Sequence, residues 1–191
     1  MRILITFLII FFYSFTKANS INVVRDAEIE NLLKDISKIL VRGTQLENDV
    51  LTFYLDNQKF INALVTPDKK FFFTTELLLK SKNVEDVAGV ISHEIGHIIG
   101  GHFQKRQKKM EKNSAINILS SILAVGAIAG GAYNAGTAIL MGGQHLGTSR
   151  MLAFSRSQES LADQTAIRLL KRNGFSLQGL INIFNEIQRN E

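Results

Sequence analysis

Apolar positions recur at helical spacing in several stretches of the chain and cluster as short β-type runs in one other. Residues 26–42 place Ile29, Leu32, Leu33, Ile36, Ile39 and Leu40 on one stripe, with Gly43 as a stop, and predict an amphipathic helix. Val50 to Leu55 is rich in β-branched and aromatic residues and predicts a strand. After the turn-like Asp56-Asn57-Gln58, Phe60 to Val65 predicts a second strand, ended by Pro67-Asp68, and Phe71 to Thr75 a third. Glu76 to Lys80 reads as a short helix or turn. Helical spacing then resumes at Asn83, with Val84, Val87, Ile91, Ile95 and Ile98 on one side, Asn83 as N-cap and Asp86 completing a capping box. Ser157 to Leu170, stopped by Asn173-Gly174, and Leu177 to Ile187 predict the last two helices. The expected fold class is α+β: a mainly helical domain with a small three-stranded sheet ahead of the Asn83 helix.

Two segments stand outside this pattern. Arg2 is followed by an almost wholly apolar run, Ile3 to Phe15, then by small and polar residues, the layout of a secretory signal peptide. Cleavage is expected after Ala18, with Ser20 as the second choice. This makes residues 1–18 a leader and 19–191 one domain. The run is short for a spanning helix, which needs about 17–25 residues; an uncleaved membrane anchor is the alternative. The other segment is Asn113 to Ser149, which contains no Asp, Glu, Lys or Arg. Ala115 to Ala129 predicts a packed helix, with turns at Gly130-Gly131, Gly142-Gly143 and Gly147. A buried, mobile hairpin covering a site is the expectation for 113–149. A membrane hairpin is the alternative, opposed by interruptions such as Asn113, Asn117, Ser120, Ser121 and Thr137.

Composition narrows the partners. The 191 residues carry a formal charge of +5 and no Cys. Removing residues 1–18 takes away Arg2 and Lys17 and no acid, leaving +3. That mild charge, with no basic patch interleaved with aromatics, argues against nucleic acid. Without cysteine there are no disulfides and no thiolate metal ligands. An exported chain of this kind fits the bacterial periplasm.

The chemistry sits in His93-Glu94-Ile95-Gly96-His97. Histidines four apart on a helix lie about 40° apart around its axis, so both can reach one Zn²⁺. Glu94, about 100° round from His93, stands beside the metal, where it can take a proton from a bound water as general base. Gly89, Gly96 and Gly100 fall near His93 on the helix surface. Each helix-interior glycine costs roughly 0.5–1 kcal/mol relative to alanine, so a second helix is expected to approach there and bring another ligand.

Catalytic zinc takes three protein ligands and keeps a position open. His102 is one candidate for the third, with a surface histidine near the helix end as its plain reading. Glu159 is the other. It forms Glu159-Ser160-Leu161-Ala162-Asp163, with both carboxylates on one helix face. Glu159 would bind the metal and Asp163 would orient a histidine through its non-ligating nitrogen. Ala162 and Ala166 are small enough to let this helix lie against the glycines. Beside the His93 motif, the Glu159 reading is the stronger.

These motifs resemble the zinc peptidase family that includes HtpX, BepA, the mitochondrial Oma-type proteases and the CAAX prenyl protease. The matching residues are His93 to His97 and Ser155-Arg156-Ser157-Gln158-Glu159-Ser160-Leu161-Ala162-Asp163. Asn62-Ala63 resembles the strand before the metal helix, and Thr74-Thr75-Glu76-Leu77-Leu78 the segment entering it. The similarity covers about residues 25–188 and is strongest to the periplasmic BepA-like branch, without its tetratricopeptide repeats. It implies a gluzincin-like metallopeptidase domain holding one Zn²⁺ per subunit on His93, His97 and Glu159, with Glu94 as base. It further implies an endopeptidase acting on misfolded or stalled envelope proteins, with envelope or outer-membrane assembly machinery as a partner; the uncharged 113–149 segment separately raises peripheral membrane contact. Substrate would add as a strand near Asn62 and Ala63. An assembly factor of the same fold with little proteolysis is the rival reading. The chain departs from the family in two places. Asp68-Lys69-Lys70 follows the Pro where Gly-Gly is common, and the chain stops at Glu191, before the family's Ser-Thr-His-Pro segment. His145 is the substitute to test for that segment's histidine.

Overall fold

The computed structural model describes residues 22–189. The expected leader, residues 1–18, lies outside the described residues. Helix α1 (Ala27–Val41) begins where Asp26 can cap it: the Asp26 carboxylate accepts from the backbone N–H groups of Glu28 and Ile29 at 3.0 and 3.1 Å. It ends before Gly43, whose φ of +64° is the left-handed stop. Leu33, Ile36 and Leu40 are buried, while Leu32 and Ile39 are exposed, so the stripe is narrower than its sequence suggests.

The sheet has four strands rather than three. They are β1 (Val23–Val24), β2 (Thr52–Asp56), β3 (Ala63–Val65) and β4 (Lys70–Thr74), in the order β1-β2-β4-β3. Strand β1 pairs antiparallel with β2, and both its valines are exposed, so backbone bonding rather than burial holds it. Strands β2 and β4 run parallel, β3 and β4 antiparallel, which leaves β3 at the edge. Phe53, Phe71 and Phe73 are fully buried, the first two stacked at 4.7 Å. Between β3 and β4, Lys69 holds a left-handed conformation, φ +62°, with its Nζ 2.8 Å from Asp49. A lysine thus fills a turn in the segment where the resemblance leads one to expect glycine.

Helix α2 (Thr75–Lys80) is capped by Thr74, and that cap also fixes the start of β3. The Thr74 hydroxyl accepts from the N–H groups of Asn62 and Leu77 at 2.9 and 3.4 Å and donates to the Asn62 carbonyl at 3.0 Å. Helix α3 (Val84–Ile99) runs through the middle of the molecule. Asn83 caps it, accepting from the Asp86 N–H at 2.9 Å. The Asp86 carboxylate receives the Lys82 N–H at 2.8 Å and the Asn182 amide at 3.2 Å, which ties in the closing helix. Val87, Ile91 and Ile95 are buried as expected; Val84 is exposed.

Helices α4 (His102–Ala129), α5 (Tyr133–Arg172) and α6 (Gln178–Arg189) complete the chain. The segment expected as a helix over 157–170 is the last part of α5, which runs for 40 residues without a break. Gly142, Gly143 and Gly147 lie inside it and mark no turns; the hairpin turns at Gly130-Gly131. Nor is the hairpin buried. Most side chains in 113–149 are exposed.

Candidate active site

His93 and His97, one turn apart on α3, bring their Nε2 atoms to 3.1 Å. From α5, Glu159 places Oε2 at 3.4 Å from His93 Nε2 and 3.5 Å from His97 Nε2. The close approach of the two helices makes this meeting geometrically available. A Cβ on Gly96 would stand 2.7 Å from the Ala162 carbonyl oxygen and 2.9 Å from its Cα, and Ala162 and Ala166 are fully buried. The three glycines do not meet one helix, however. Gly96 meets α5, Gly89 meets the backbone of Leu180 on α6 at 2.8 Å, and Gly100 leaves room for the His102 ring.

The donor set fits a small cation. Tetrahedral ligands at roughly 2.0–2.1 Å from zinc lie roughly 3.4 Å from one another, and the three atoms here are separated by 3.1, 3.4 and 3.5 Å. One ligand atom from each of His93, His97 and Glu159 lies within 4.8 Å of the others. Asp163 Oδ1 stands 2.9 Å from His93 Nδ1. A proton on Nδ1 makes that bond and leaves the Nε2 lone pair facing the cluster.

His102 is neither a surface residue nor a fourth member of the cluster. It is buried, and its Nδ1 lies 2.9 Å from His97 Nδ1. With His97 carrying its proton on Nδ1, His102 accepts there and holds the ring with Nε2 inward. The chain reverses through Gly101, φ +60°, before α4 starts, and this folds His102 back onto α3. The Gly100-Gly101 pair just before a histidine was the available signal. His102 Nε2 is buried with no hydrogen-bond partner among the described residues.

Glu94 is buried beside this cluster, lining the same cavity of about 470 Å³ as His93, His97 and Glu159. Burial, and then the neighbouring Glu159 carboxylate, push its carboxyl up to about 7, against a backbone hydrogen bond from Val65. Burial and the adjacent His93 push His97 down to about 4, with Asp163 opposing. Asn62 and Ala63 line the cavity, on the edge side of the sheet, and the Phe184 ring stands edge-on to His93 at 5.4 Å. No residue of 113–149 lines it, so the hairpin does not cover the site as expected. His145 stands 14 residues before Glu159 on the same helix, roughly 21 Å along the axis, and is no part of the site.

A helix bearing two histidines and a glutamate, met by a carboxylate from a second helix, fits the metallopeptidase class. The model of Peptidase family M48 matches residues 25–190, and the chain belongs to that family. It is 25% identical over 179 residues to a β-barrel assembly-enhancing protease of Yersinia pestis, covering 92% of this chain and 36% of that protein. To the protein of the same name in Escherichia coli (strain K12) it is 28% identical over 155 residues, 78% of this chain and 31% of the relative. To the metalloprotease YcaL of the same strain it is 30% identical over 120 residues, 58% and 41% of the two chains. The chain spans about a third of the length of the assembly-enhancing proteases it matches.

Proposed function

We propose that the chain is a zinc-dependent endopeptidase domain that hydrolyses peptide bonds in misfolded or stalled proteins of the cell envelope. The observation that carries the reading is the convergence of His93, His97 and Glu159 beside the buried Glu94 in one cavity. His93, His97 and Glu159 would hold one Zn²⁺. When bound, the ion supplies Lewis acidity, polarising a carbonyl and lowering the pKa of water towards ~7.

The chain's own residues do the rest. Glu94 takes a proton from the attacking water and passes it to the leaving amine. Asp163 holds the His93 ring through Nδ1, and His102 holds that of His97. The free edge of β3 accepts an extended substrate segment by backbone pairing at Asn62 and Ala63, which favours loose sequence preference. The hydroxyl of Thr74 keeps that edge in register.

The relatives are named for β-barrel assembly, which supports outer-membrane assembly machinery as partner. The leader-like pattern of residues 1–18 supports export, with the periplasm as location once they are removed. Digestion of an unfolded protein such as casein, with zinc content measured in parallel, tests the reading. Glu94→Gln is expected to lower kcat by at least about 10²-fold while keeping bound zinc, and Glu159→Ala to lose both. Chelator-insensitive or absent hydrolysis by the zinc-loaded chain would overturn it.

A further inference from the structure

The outer part of the α4–α5 hairpin carries a surface made for neither water nor a protein core. Between Asn113 and Ser149 there is no charged side chain. On α4, Ile118, Leu119, Ile122, Leu123 and Val125 are 55–66% exposed, and on α5 Ile139, Leu140, Met141 and Leu146 are exposed as well. Soluble chains scatter such residues singly; here they form a continuous sleeve.

Some of the segment's polar residues turn towards the partner helix or their own backbone, while Gln144 and His145 stay exposed on α5. The Asn113 amide donates to the Gly147 carbonyl at 3.4 Å. Asn117 Oδ1 would lie 3.3 Å from a Cβ on Gly147, and Ser120 Oγ 2.6 Å from one on Gly143. Asn113, Asn117 and Ser120 therefore line the seam between the helices, where the glycines let α5 come close. The hydroxyls of Ser121 and Thr137 donate to carbonyls of their own helices, at 2.9 Å to Asn117 and 3.0 Å to Asn134. Asn113, Ser121 and Thr137 thus satisfy their polar groups within the hairpin, with aliphatics outward, the arrangement a lipid solvent favours. Three of the interruptions that oppose a membrane hairpin in the sequence, Asn113, Ser121 and Thr137, are thus answered by bonds inside the hairpin.

Length and charge agree. Residues 113–129 and 133–149 are 17 residues each, about 26 Å of helix, close to the roughly 30 Å hydrocarbon core. By length and composition α4 can cross a membrane. Tyr133 sits at the tip, and at the base Lys105, Arg106, Lys108, Lys109 and Lys112 form a collar with Glu111 as the one acid among them. Cations at that level face anionic headgroups. A second copy packed side by side would cover only one face of the sleeve and would set two basic collars against each other.

We propose that residues 113–149 insert into a bilayer containing anionic lipid, with the basic collar on the headgroups and the metallopeptidase body held at the membrane surface. This is independent of whether the site hydrolyses peptides. Because the chain has no cysteine, Leu123→Cys gives a single labelling position for an environment-sensitive fluorophore in the full chain, and Lys38→Cys on α1 gives a control. With vesicles of phosphatidylcholine and phosphatidylglycerol, the probe at 123 is expected to shift to the blue and be quenched by nitroxides on the acyl chains, and the probe at 38 to do neither. Changing Lys105, Lys108, Lys109 and Lys112 to Gln is expected to weaken binding to these vesicles about fivefold per lysine at low salt. A probe at 123 that stays in water with vesicles present overturns the proposal. So does one that becomes buried in buffer alone as protein concentration rises, because a second copy would then be the occupant.

Discussion

Glu94 occupies a place where a carboxylate is hard to ionise, and its cost to the fold is measurable. Its pKa stands near 7 folded against 4.5 as a free side chain. A raised carboxyl contributes its stability below the unfolded value and loses it as pH rises through the folded one. In metal-free protein, the Glu94 penalty therefore grows between about pH 4.5 and 7, to roughly 3 kcal/mol. Glu94→Gln is expected to make the chelated protein more stable than wild type at pH 8 by up to that amount, with the gain vanishing near pH 4. Urea unfolding in chelator across that range checks it. His97 and His102, both pushed down to about 4 mainly by burial, act in the opposite sense, favouring the fold above about 6.5 and opposing it as pH falls towards 4. The role given to His102 makes a separate prediction. His102→Ala is expected to weaken zinc binding about 10–100-fold while Glu94 chemistry on the loaded protein is largely kept; competition with a chelating dye measures the affinity. That His93, His97 and Glu159 would meet beside Glu94 was legible because metal chemistry restricts residue types and spacing tightly. The place of His102 was not, because a reversal at Gly101 decides it, and the Gly100-Gly101 pair signals a turn without saying which way the histidine after it folds.

Helix α3 was readable from its cap and its period, since Asn83 and the buried Val87, Ile91 and Ile95 act locally. Strand β1 was not, because two exposed valines joined to β2 by backbone bonds leave no burial pattern. Helix α5 was read short for a related reason. Gly143 and Gly147 look like turn residues in isolation but serve as flat ground for Ser120 and Asn117 on α4, a partner the local sequence does not reveal. The glycines of α3 can be told apart by what each lies against. Gly96→Ala drives a Cβ into the Ala162 backbone and should push α5 away, costing about 1–3 kcal/mol and weakening zinc binding with it. Gly89→Ala meets α6 instead, so a comparable loss of stability is expected with zinc affinity nearly unchanged. Paired denaturation and zinc titration of the two variants separate these outcomes.

The molecule as a whole joins α1, the sheet, α3, α6 and the inner end of α5 into one core, with Ala166, Leu169 and Leu170 of α5 buried in it, and polar contacts hold α5 there at two levels. Near its C-terminus, Arg172 and Asn173 donate to the Leu40 carbonyl at 3.2 and 3.5 Å. Higher up, Glu159 faces the α3 histidines. Zinc is therefore expected to act as a tertiary clamp. At about a thousandfold excess over Kd it should add about 4 kcal/mol, seen as a higher Tm by calorimetry. That gain should disappear with chelator or in Glu159→Ala and persist in Glu94→Gln.

Because α5 is one unbroken rod, its outer half is a lever arm for its inner half. For a pivot near Ala162, a tilt of about 5° sweeps the hairpin tip through roughly 4 Å and shifts the backbone of Glu159 by roughly 0.4 Å. Metal–ligand distances are held within about 0.2 Å. Reduction gearing of this kind lets a coarse displacement far from the catalytic cavity make or break the contact between the carboxylate and the two imidazoles.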